Sequence, residues 1–334
     1  VRTPVQVKGE VLSRRRVGAY HLLEVAAGGI AERARPGQFV GVSVGGPASS
    51  MLLRRSFAIY RATPTGAYTG TVQFVVGVHG RGTEWLAGVR PGEPLDLVGP
   101  LGTPFRLPGS PVGCLLVGGG YGSAPLFGLA EALRARECRV DLLIGAGTAD
   151  RLFGELEAKR TAGAVTVTTD DGSAGFRGTV TDVLPDELER TGALVVYACG
   201  PMPMLRAVGA VADSYGLPCQ VAVEESMACG IGVCMTCVLP VVGEDGVTRM
   251  TRSCVDGPVF DARRVRWDDV GTVPPETLGA PGPLLGSGAR TAPDLPEPVD
   301  LAAVAPVGTG APGPAVPAGT GDGGPAAGGA GARP

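Results

Sequence analysis

Four cysteines carry the clearest chemistry in this 334-residue chain. Cys229, Cys234 and Cys237 sit in E-E-S-M-A-C-G-I-G-V-C-M-T-C, and Cys254 follows after sixteen intervening residues, giving C-x4-C-x2-C…C. That is the plant-type spacing for a [2Fe–2S] cluster. Two irons and two sulfides need four thiolates gathered in a small volume; a tight loop delivers three, and a later strand end brings the fourth. Gly230 and Gly232 let the loop turn sharply and bring backbone N–H groups to sulfur, where they stabilise the anionic cluster and tune its potential. Zinc is the rival, since C-x2-C also reads as a zinc pair, although zinc sites usually come as two separated pairs. Disulfides rank last, because nothing else marks an oxidising compartment.

A second set of residues suits phosphate and nucleotide chemistry. Gly80-Arg81-Gly82-Thr83 precedes Glu84-Trp85-Leu86, a glycine turn opening a short helix, where a phosphate is commonly seated. Backbone N–H groups of Gly82 and Thr83, the Thr83 hydroxyl and a charge-assisted contact from Arg55 would hold a diphosphate, as in FAD. Further on, Gly113-Cys114-Leu115-Leu116-Val117 reads as a buried strand ended by Gly118-Gly119-Gly120-Tyr121-Gly122, with a helix-like Leu126–Ala135 behind it. Strand, glycine loop and helix form a dinucleotide-binding arrangement, although the spacing is not G-x-G-x-x-G. A later strand, Ala193–Tyr197, ends in Ala198-Cys199-Gly200-Pro201-Met202. Asp170-Asp171-Gly172-Ser173 reads either as a surface turn or as a nucleotide contact.

The elements around these residues divide the chain. Val5–Leu12, Ala19–Val25, Phe39–Val44, Phe57–Arg61, Val72–Val78 and Pro94–Val98 are short strands, punctuated by Pro36-Gly37, Gly66 and Pro91-Gly92. Six strands with few helical signals predict an antiparallel β-barrel over 1–107, closed so that no edge is exposed. Strands at Arg139–Ile144 and Val165–Thr168 and helices at Arg151–Lys159 and through Val211 continue the alternation, predicting a parallel α/β domain over 108–217. A small [2Fe–2S] module over 218–266 follows. From 267, and most plainly from Gly279, a Pro/Gly/Ala-rich tail is expected to be disordered.

Composition removes several function classes. A net charge of −3 offers no basic footprint for nucleic acid. No apolar run reaches membrane-spanning length and no signal peptide is visible, so a cytoplasmic location is expected. The chain opens on Val1, so an initiator residue or short leader is expected ahead of it. Two histidines among 334 residues argue against histidine-ligated or Rieske-type metal sites. Cys114, Cys138, Cys199 and Cys219 lie in apolar contexts and read as buried small hydrophobes, with Cys199 also placed where a nicotinamide ring could come near.

The order of parts — Arg55 before a strand, Gly82-Thr83, Gly99-Pro100-Leu101-Gly102, Gly118-Gly119-Gly120, Cys199-Gly200-Pro201 and the cysteine loop — resembles the ferredoxin reductase-like flavoproteins. Within them it is most similar to the electron-transfer subunits of two-subunit, NAD-dependent dihydroorotate dehydrogenases, from residue 5 to about 262. Glu225-Ser226-Met227-Ala228-Cys229-Gly230 through Cys237 is the most specific piece, and Thr169–Gly178 also resembles that family. The resemblance implies FAD on the barrel, NAD(H) at the α/β domain and a cluster facing an FMN-containing catalytic subunit in a heterotetramer. It assigns flavin contacts to Arg55, Ser56, Phe57 and Ala58, and to Val75, Val76 and Gly77, with the diphosphate at Gly82 and Thr83. Gly118, Gly119, Gly120, Cys199, Gly200 and Pro201 would border the nicotinamide nucleotide.

Three departures stand out. Ala58 replaces a serine or threonine, removing a hydroxyl near the flavin N5; Gly77 stands where an arginine is expected; and Tyr121 replaces a small aliphatic residue and would crowd the nicotinamide nucleotide. No general acid or base is required of this chain, since the cofactors perform the chemistry. Two other readings remain: the small subunit of a related NAD(P)H-linked ferredoxin or sulfide oxidoreductase, and a non-enzymatic cluster or zinc adaptor with a degenerate flavin site.

Overall fold

The computed structural model describes residues 3–46, 49–64 and 70–280. The expected turn at Gly66 and the stretch 281–334 lie outside them.

The first part is a closed barrel of β1 (Val5–Val17), β2 (Tyr20–Ala26), β3 (Phe39–Val42), β4 (Arg55–Thr63), β5 (Thr71–Val76) and β6 (Pro94–Leu101), in the order β1-β2-β5-β4-β3-β6. Its neighbours pair antiparallel all round. Alternation along each strand sends Val11, Leu23, Val25, Val40, Val42, Phe74, Val76 and Leu97 into one buried core. Helix α1 (Gly28–Ala31) plugs one side with Ile30. Helix α2 (Arg81–Gly88) follows β5 and buries Leu86 in the same core.

The second part is a seven-stranded sheet with helices on both faces. In chain order come β7 (Gly113–Gly119), α3 (Ala124–Arg134), β8 (Arg139–Ala146), α4 (Glu155–Thr161), β9 (Val165–Thr169), β10 (Phe176–Arg177), α5 (Val180–Thr191), β11 (Val195–Cys199), α6 (Met202–Ser214) and β12 (Cys219–Ala222). The sheet order is β10-β9-β8-β7-β11-β12-β15, where β15 is Val259–Asp261. All pairs are parallel except β12 with β15. Residues alternate along β7: Cys114 and Leu116 pack with α3, and Leu115 and Val117 pack with α5 and α6. The chain builds outward from β7 in one direction, then returns to add β11 on its other side. That reversal is the topological switch point where open α/β sheets bind ligands.

Several expectations needed correction. The helix expected over Arg151–Lys159 is split into a 3-10 turn at Ala149–Arg151 and α4, because Gly154 between them is left-handed (φ +80°). Helix α5 was not foreseen; Pro185 inside it reads as a breaker, yet Thr179 and Asp182 cap its start. Strands β12 and β15 belong to the nucleotide-domain sheet although they fall inside the 218–266 segment. What stands apart is the cluster loop with a hairpin, β13 (Val238–Val242) and β14 (Thr248–Arg252). Packing also continues past 267: Trp267 Nε1–H donates to Ala262 O at 2.9 Å, and Leu278 N–H to Thr248 O at 2.9 Å.

Barrel and sheet meet along β4 and α3. Tyr60 presents its ring edge-on to Phe127 (5.9 Å) and Phe153 (5.5 Å), and Arg61 pairs with Glu131 at 2.8 Å and with Glu157. Helix α3 therefore lies against the barrel, and the loop in front of it, after β7, opens toward β4.

Candidate functional site

A crevice of about 150 Å³ lies between barrel and sheet. Its barrel wall is Phe39, Ser56, Phe57, Ala58 and Val75; the opposite wall is Tyr121, Gly122, Cys199 and Gly200, and Glu224, Glu225 and Met227 close one end. Three of the four residues assigned from β4 thus reach one cavity. Of the β5 pair only Val75 does: strand alternation points Val76 into the barrel core, where it is fully buried. Gly77 sits beyond the strand, and a Cβ there would lie 3.0 Å from His79 Nε2 and 3.6 Å from Tyr121 Cε1. The space of the expected arginine is therefore partly taken by these two rings.

Arg55, Gly82 and Thr83 come together at the start of α2. A Cβ on Gly82 would stand 2.9 Å from Arg55 Nε, so only a bare backbone lets the guanidinium lie against the start of α2. A cation beside free helix N–H groups fits a diphosphate. The Thr83 hydroxyl, by contrast, is committed to the cap. It accepts from His79 N–H (2.9 Å) and Gly80 N–H (3.1 Å) and donates to Gly80 O (2.9 Å). Its contribution to a phosphate is the backbone N–H alone.

A second cavity, about 320 Å³, runs along the carboxyl ends of the parallel strands. It is lined by Gly119, Gly120 and Tyr121 at the end of β7, Gly145–Gly147 at the end of β8, Asp170 after β9 and Gly200-Pro201 after β11. Gly118 lies behind it: its Cβ would stand 2.6 Å from Ser123 Cβ, so its role is to let the turn pack on the strand. Gly122 and Gly200 mark where the two loops cross, since a Cβ on Gly122 would be 2.6 Å from Gly200 Cα. Burial pushes the Cys199 thiol up to about 12, with Glu224 adding to the rise, so it stays protonated and serves as an apolar wall. Sequence reasoning missed Tyr20, Gly145–Gly147, Arg151, Thr179 and Met204 in this cavity. The G-A-G at the end of β8 was the available signal; the others arrive by folding.

Tyr121 joins the two cavities. Its hydroxyl donates to Glu224 Oε1 at 2.7 Å, and its ring stands edge-on to Tyr20 at 5.5 Å. Burial, and then the Glu224 carboxylate, lift this hydroxyl above the ordinary tyrosine range.

The cysteine loop folds against the barrel side of the crevice. Gly230 (φ +69°) and Gly232 (φ +84°) are left-handed, and a Cβ on Gly232 would collide with Val255 Cγ2 at 2.4 Å. The N–H groups of Ile231 and Val233 donate to Cys229 Sγ at 3.4 and 3.3 Å, the sulfur-directed amides that such a cluster needs. Hydrogen bonds link Cys234 with Cys229 and Cys254 with Cys237, and Cys229 also acts on Cys254. No group of three or more His, Cys, Asp or Glu side chains among the described residues is gathered around one metal ion. Two thiol pairs suit a binuclear cluster, each iron taking two thiolates beside the bridging sulfides. Hydrogen bonds from the Thr236 side chain and backbone bring Cys234 down to about 6, while burial pushes Cys254 up to about 12. Cys237 and Cys254 pack with Phe39, Leu101 and Met227, and Phe39 and Met227 also line the crevice. Around the exposed Cys234, the side chains of Ile231 (54%), Val233 (76%), Met235 (52%) and Val255 (41%) are open to solvent, an apolar rim of the kind that marks an interaction surface. Cys114, Cys138 and Cys219 are buried away from both cavities.

Known proteins share these parts in this order. Residues 224–266 match the iron-sulfur cluster binding domain of dihydroorotate dehydrogenase B, and residues 116–209 match an oxidoreductase NAD-binding domain. The dihydroorotate dehydrogenase B (NAD(+)) electron transfer subunit of Desulforamulus reducens is 34% identical over 255 residues, 74% of this chain and 93% of that protein. The one from Bacillus caldolyticus is 40% identical over 239 residues, 71% and 88% respectively. Among solved structures, an NADH-dependent reduced ferredoxin-NADP oxidoreductase chain superposes with a TM-score of 0.69 at 31% identity, covering 79% of this chain and 91% of that one. The ferredoxin reductase of carbazole 1,9a-dioxygenase, 22% identical with a TM-score of 0.55 over 64% of this chain and 67% of its own, shares the fold. Identity at this level along most of its length makes the chain a member of the dihydroorotate dehydrogenase B (NAD(+)) electron transfer subunit family.

Proposed function

We propose that the chain carries electrons from a dihydroorotate-oxidising, FMN-containing catalytic subunit to NAD⁺, as one half of a heterotetramer serving pyrimidine biosynthesis. One observation carries this reading: a single crevice is walled by the barrel strand (Phe57, Ala58), by both nucleotide-domain loops (Tyr121, Gly200) and by the cluster loop (Met227). When bound, the cluster supplies one-electron transfer, and FAD pairs those electrons into the hydride that NAD⁺ accepts.

The protein's own residues position and insulate. Cys229, Cys234, Cys237 and Cys254 would hold the cluster, and the Ile231 and Val233 amides would stabilise its charge. Met227 and Phe39 fill the space between the thiols and the crevice, keeping the path short and dry. Ser56, Phe57, Ala58 and Val75 would support the isoalloxazine, and Arg55 with the start of α2 its diphosphate. Because Ala58 has no hydroxyl, a hydrogen bond to the flavin N5 at that position would come from backbone. The nucleotide would lie along the Gly119–Gly120, Gly145–Gly147 and Gly200–Pro201 loops. The rim of Ile231, Val233, Met235 and Val255 would dock the catalytic subunit over Cys234, the most exposed of the four ligands.

A related reading is a small subunit of an NAD(P)H-linked ferredoxin oxidoreductase, favoured by the TM-score of 0.69. The partner decides between them. Co-expression with an FMN dihydroorotate dehydrogenase subunit, followed by anaerobic NADH titration of the complex, should bleach flavin and then reduce the cluster. A stable complex that reduces NAD⁺ only from ferredoxin would favour the second reading; a colourless, zinc-containing protein would overturn both.

A further inference from the structure

The two cavities share four lining residues: Tyr121, Gly122, Gly200 and Glu224. Two are glycines, so the side chains on the seam are Tyr121 and Glu224, hydrogen-bonded to each other at 2.7 Å. Tyr121 projects from the loop after β7, and Glu224 from the segment that leads from β12 into the cysteine loop. The bond thus spans the switch-point crevice from one side to the other. Tyr20 supports the tyrosine ring edge-on at 5.5 Å, His79 lies 6.0 Å from it, and the bare Gly77 leaves it room.

Hydride transfer demands that the nicotinamide ring and the flavin come within about 3–3.5 Å of each other. A nucleotide held in the larger cavity must therefore carry its ring through the seam into the smaller one. We infer that the Tyr121–Glu224 bridge is a gate across the flavin–nicotinamide contact, broken when the nicotinamide enters, so that this pair lowers nucleotide affinity and sets access to the flavin. The inference rests on reading the two cavities as flavin and nucleotide sites. Breaking a hydrogen bond to a carboxylate draws on the nucleotide's binding energy, so removing the bond in advance tightens binding. Tyr121 is the moving half of the gate, its loop holding glycines on both sides.

The test uses the FAD- and cluster-loaded subunit with four variants, Y121F, Y121I, E224A and E224Q. NAD⁺ affinity is measured by calorimetry, and long-wavelength charge-transfer absorbance is recorded during anaerobic NADH addition. Y121F, which keeps the ring, and E224A are expected to bind NAD⁺ about tenfold more tightly, the scale of a hydrogen bond to a charged acceptor. Y121I, which also clears the ring, is expected to bind at least as tightly and to reach its full charge-transfer band at lower NADH. E224Q keeps an acceptor but loses its charge, so its affinity should fall between wild type and E224A. Unchanged or weaker affinity in both Y121F and Y121I would overturn the gate and make Tyr121 a bystander or a stacking contact. Y121F is near-isosteric, so a folding failure of Y121I leaves the question answerable. If wild type itself binds no NAD⁺, the site reading falls and the gate falls with it.

Discussion

Gly122→Ala is the sharpest probe of how the loops after β7 and β11 are held together. The added methyl would meet Gly200 Cα at 2.6 Å, Cys199 O at 3.0 Å and Gly200 N at 3.0 Å. All three contacts are backbone, so no side chain can swing aside. Restoring an ordinary contact of 3.4 Å from 2.6 Å requires the loops after β7 and β11 to part by about 0.8 Å. Overpacking of this kind costs about 1–3 kcal/mol, and a backbone clash belongs at the upper end. A displacement near 1 Å at a reacting centre can lower a rate by about 10²-fold. Stopped-flow reduction of the flavin by NADH should therefore slow by about 10–100-fold, with a lower thermal midpoint and flavin content preserved. Gly88→Ala is the control. Gly88 closes α2, has ordinary φ, and its Cβ would meet nothing within 4 Å, so stability should stay level or rise by up to about 1 kcal/mol. Wild-type flavin reduction in Gly122→Ala would mean the two loops do not jointly position the nicotinamide.

Other expectations follow from the same geometry. Cys254→Ser should abolish the cluster absorbance and leave iron content near zero while FAD remains bound; retention of full iron would remove Cys254 from the ligand set. Val233→Asp places a charge on a side chain that is 76% exposed, so stability should change by no more than about 0.5 kcal/mol, whereas affinity for the catalytic subunit should drop at least about tenfold. Unaltered binding in size-exclusion titrations would move the docking surface elsewhere. Burial holds the Cys114 and Cys219 thiols protonated well above their unfolded value near 8.5. Their contribution is complete below about pH 8.5 and is lost above it, because the unfolded chain releases protons that the folded chain retains. Each thiol should then remove about 1.4 kcal/mol per pH unit, read as falling denaturant midpoints between about pH 9 and 10. A double Cys→Ala variant that keeps the full slope would assign it to other groups.

Much of the site was legible before folding because its signals are local. Loop chemistry such as C-x4-C-x2-C or G-R-G-T is set by residues within a few positions of each other. Barrel strands announce themselves by alternation and by their turns. Where reading failed, a nonlocal contact had decided. Val76 looks like Val75 in sequence, and only the barrel core tells them apart. The Thr83 hydroxyl looked free until the cap at Gly80 took it. Helix α5 was hidden by Pro185, and β12 and β15 were too short to show that they complete a sheet begun at residue 113.

The sequence by itself determined that four thiols, a flavin-type barrel and a parallel nucleotide domain exist in this chain, because spacing, alternation and glycine placement are properties of short segments. Tertiary structure alone decided that barrel and nucleotide domain wall one crevice, with Cys237 and Cys254 packed behind it. The chain adds β11 beside β7 only after building the sheet in the other direction. That reversal brings Gly122 against Gly200, closes Tyr121 onto Glu224 and sets Met227 between cysteine and cavity. The first two of these contacts join residues about 80 to 100 positions apart, and no local pattern records them, since they arise when sheet, helices and barrel bury a common apolar surface.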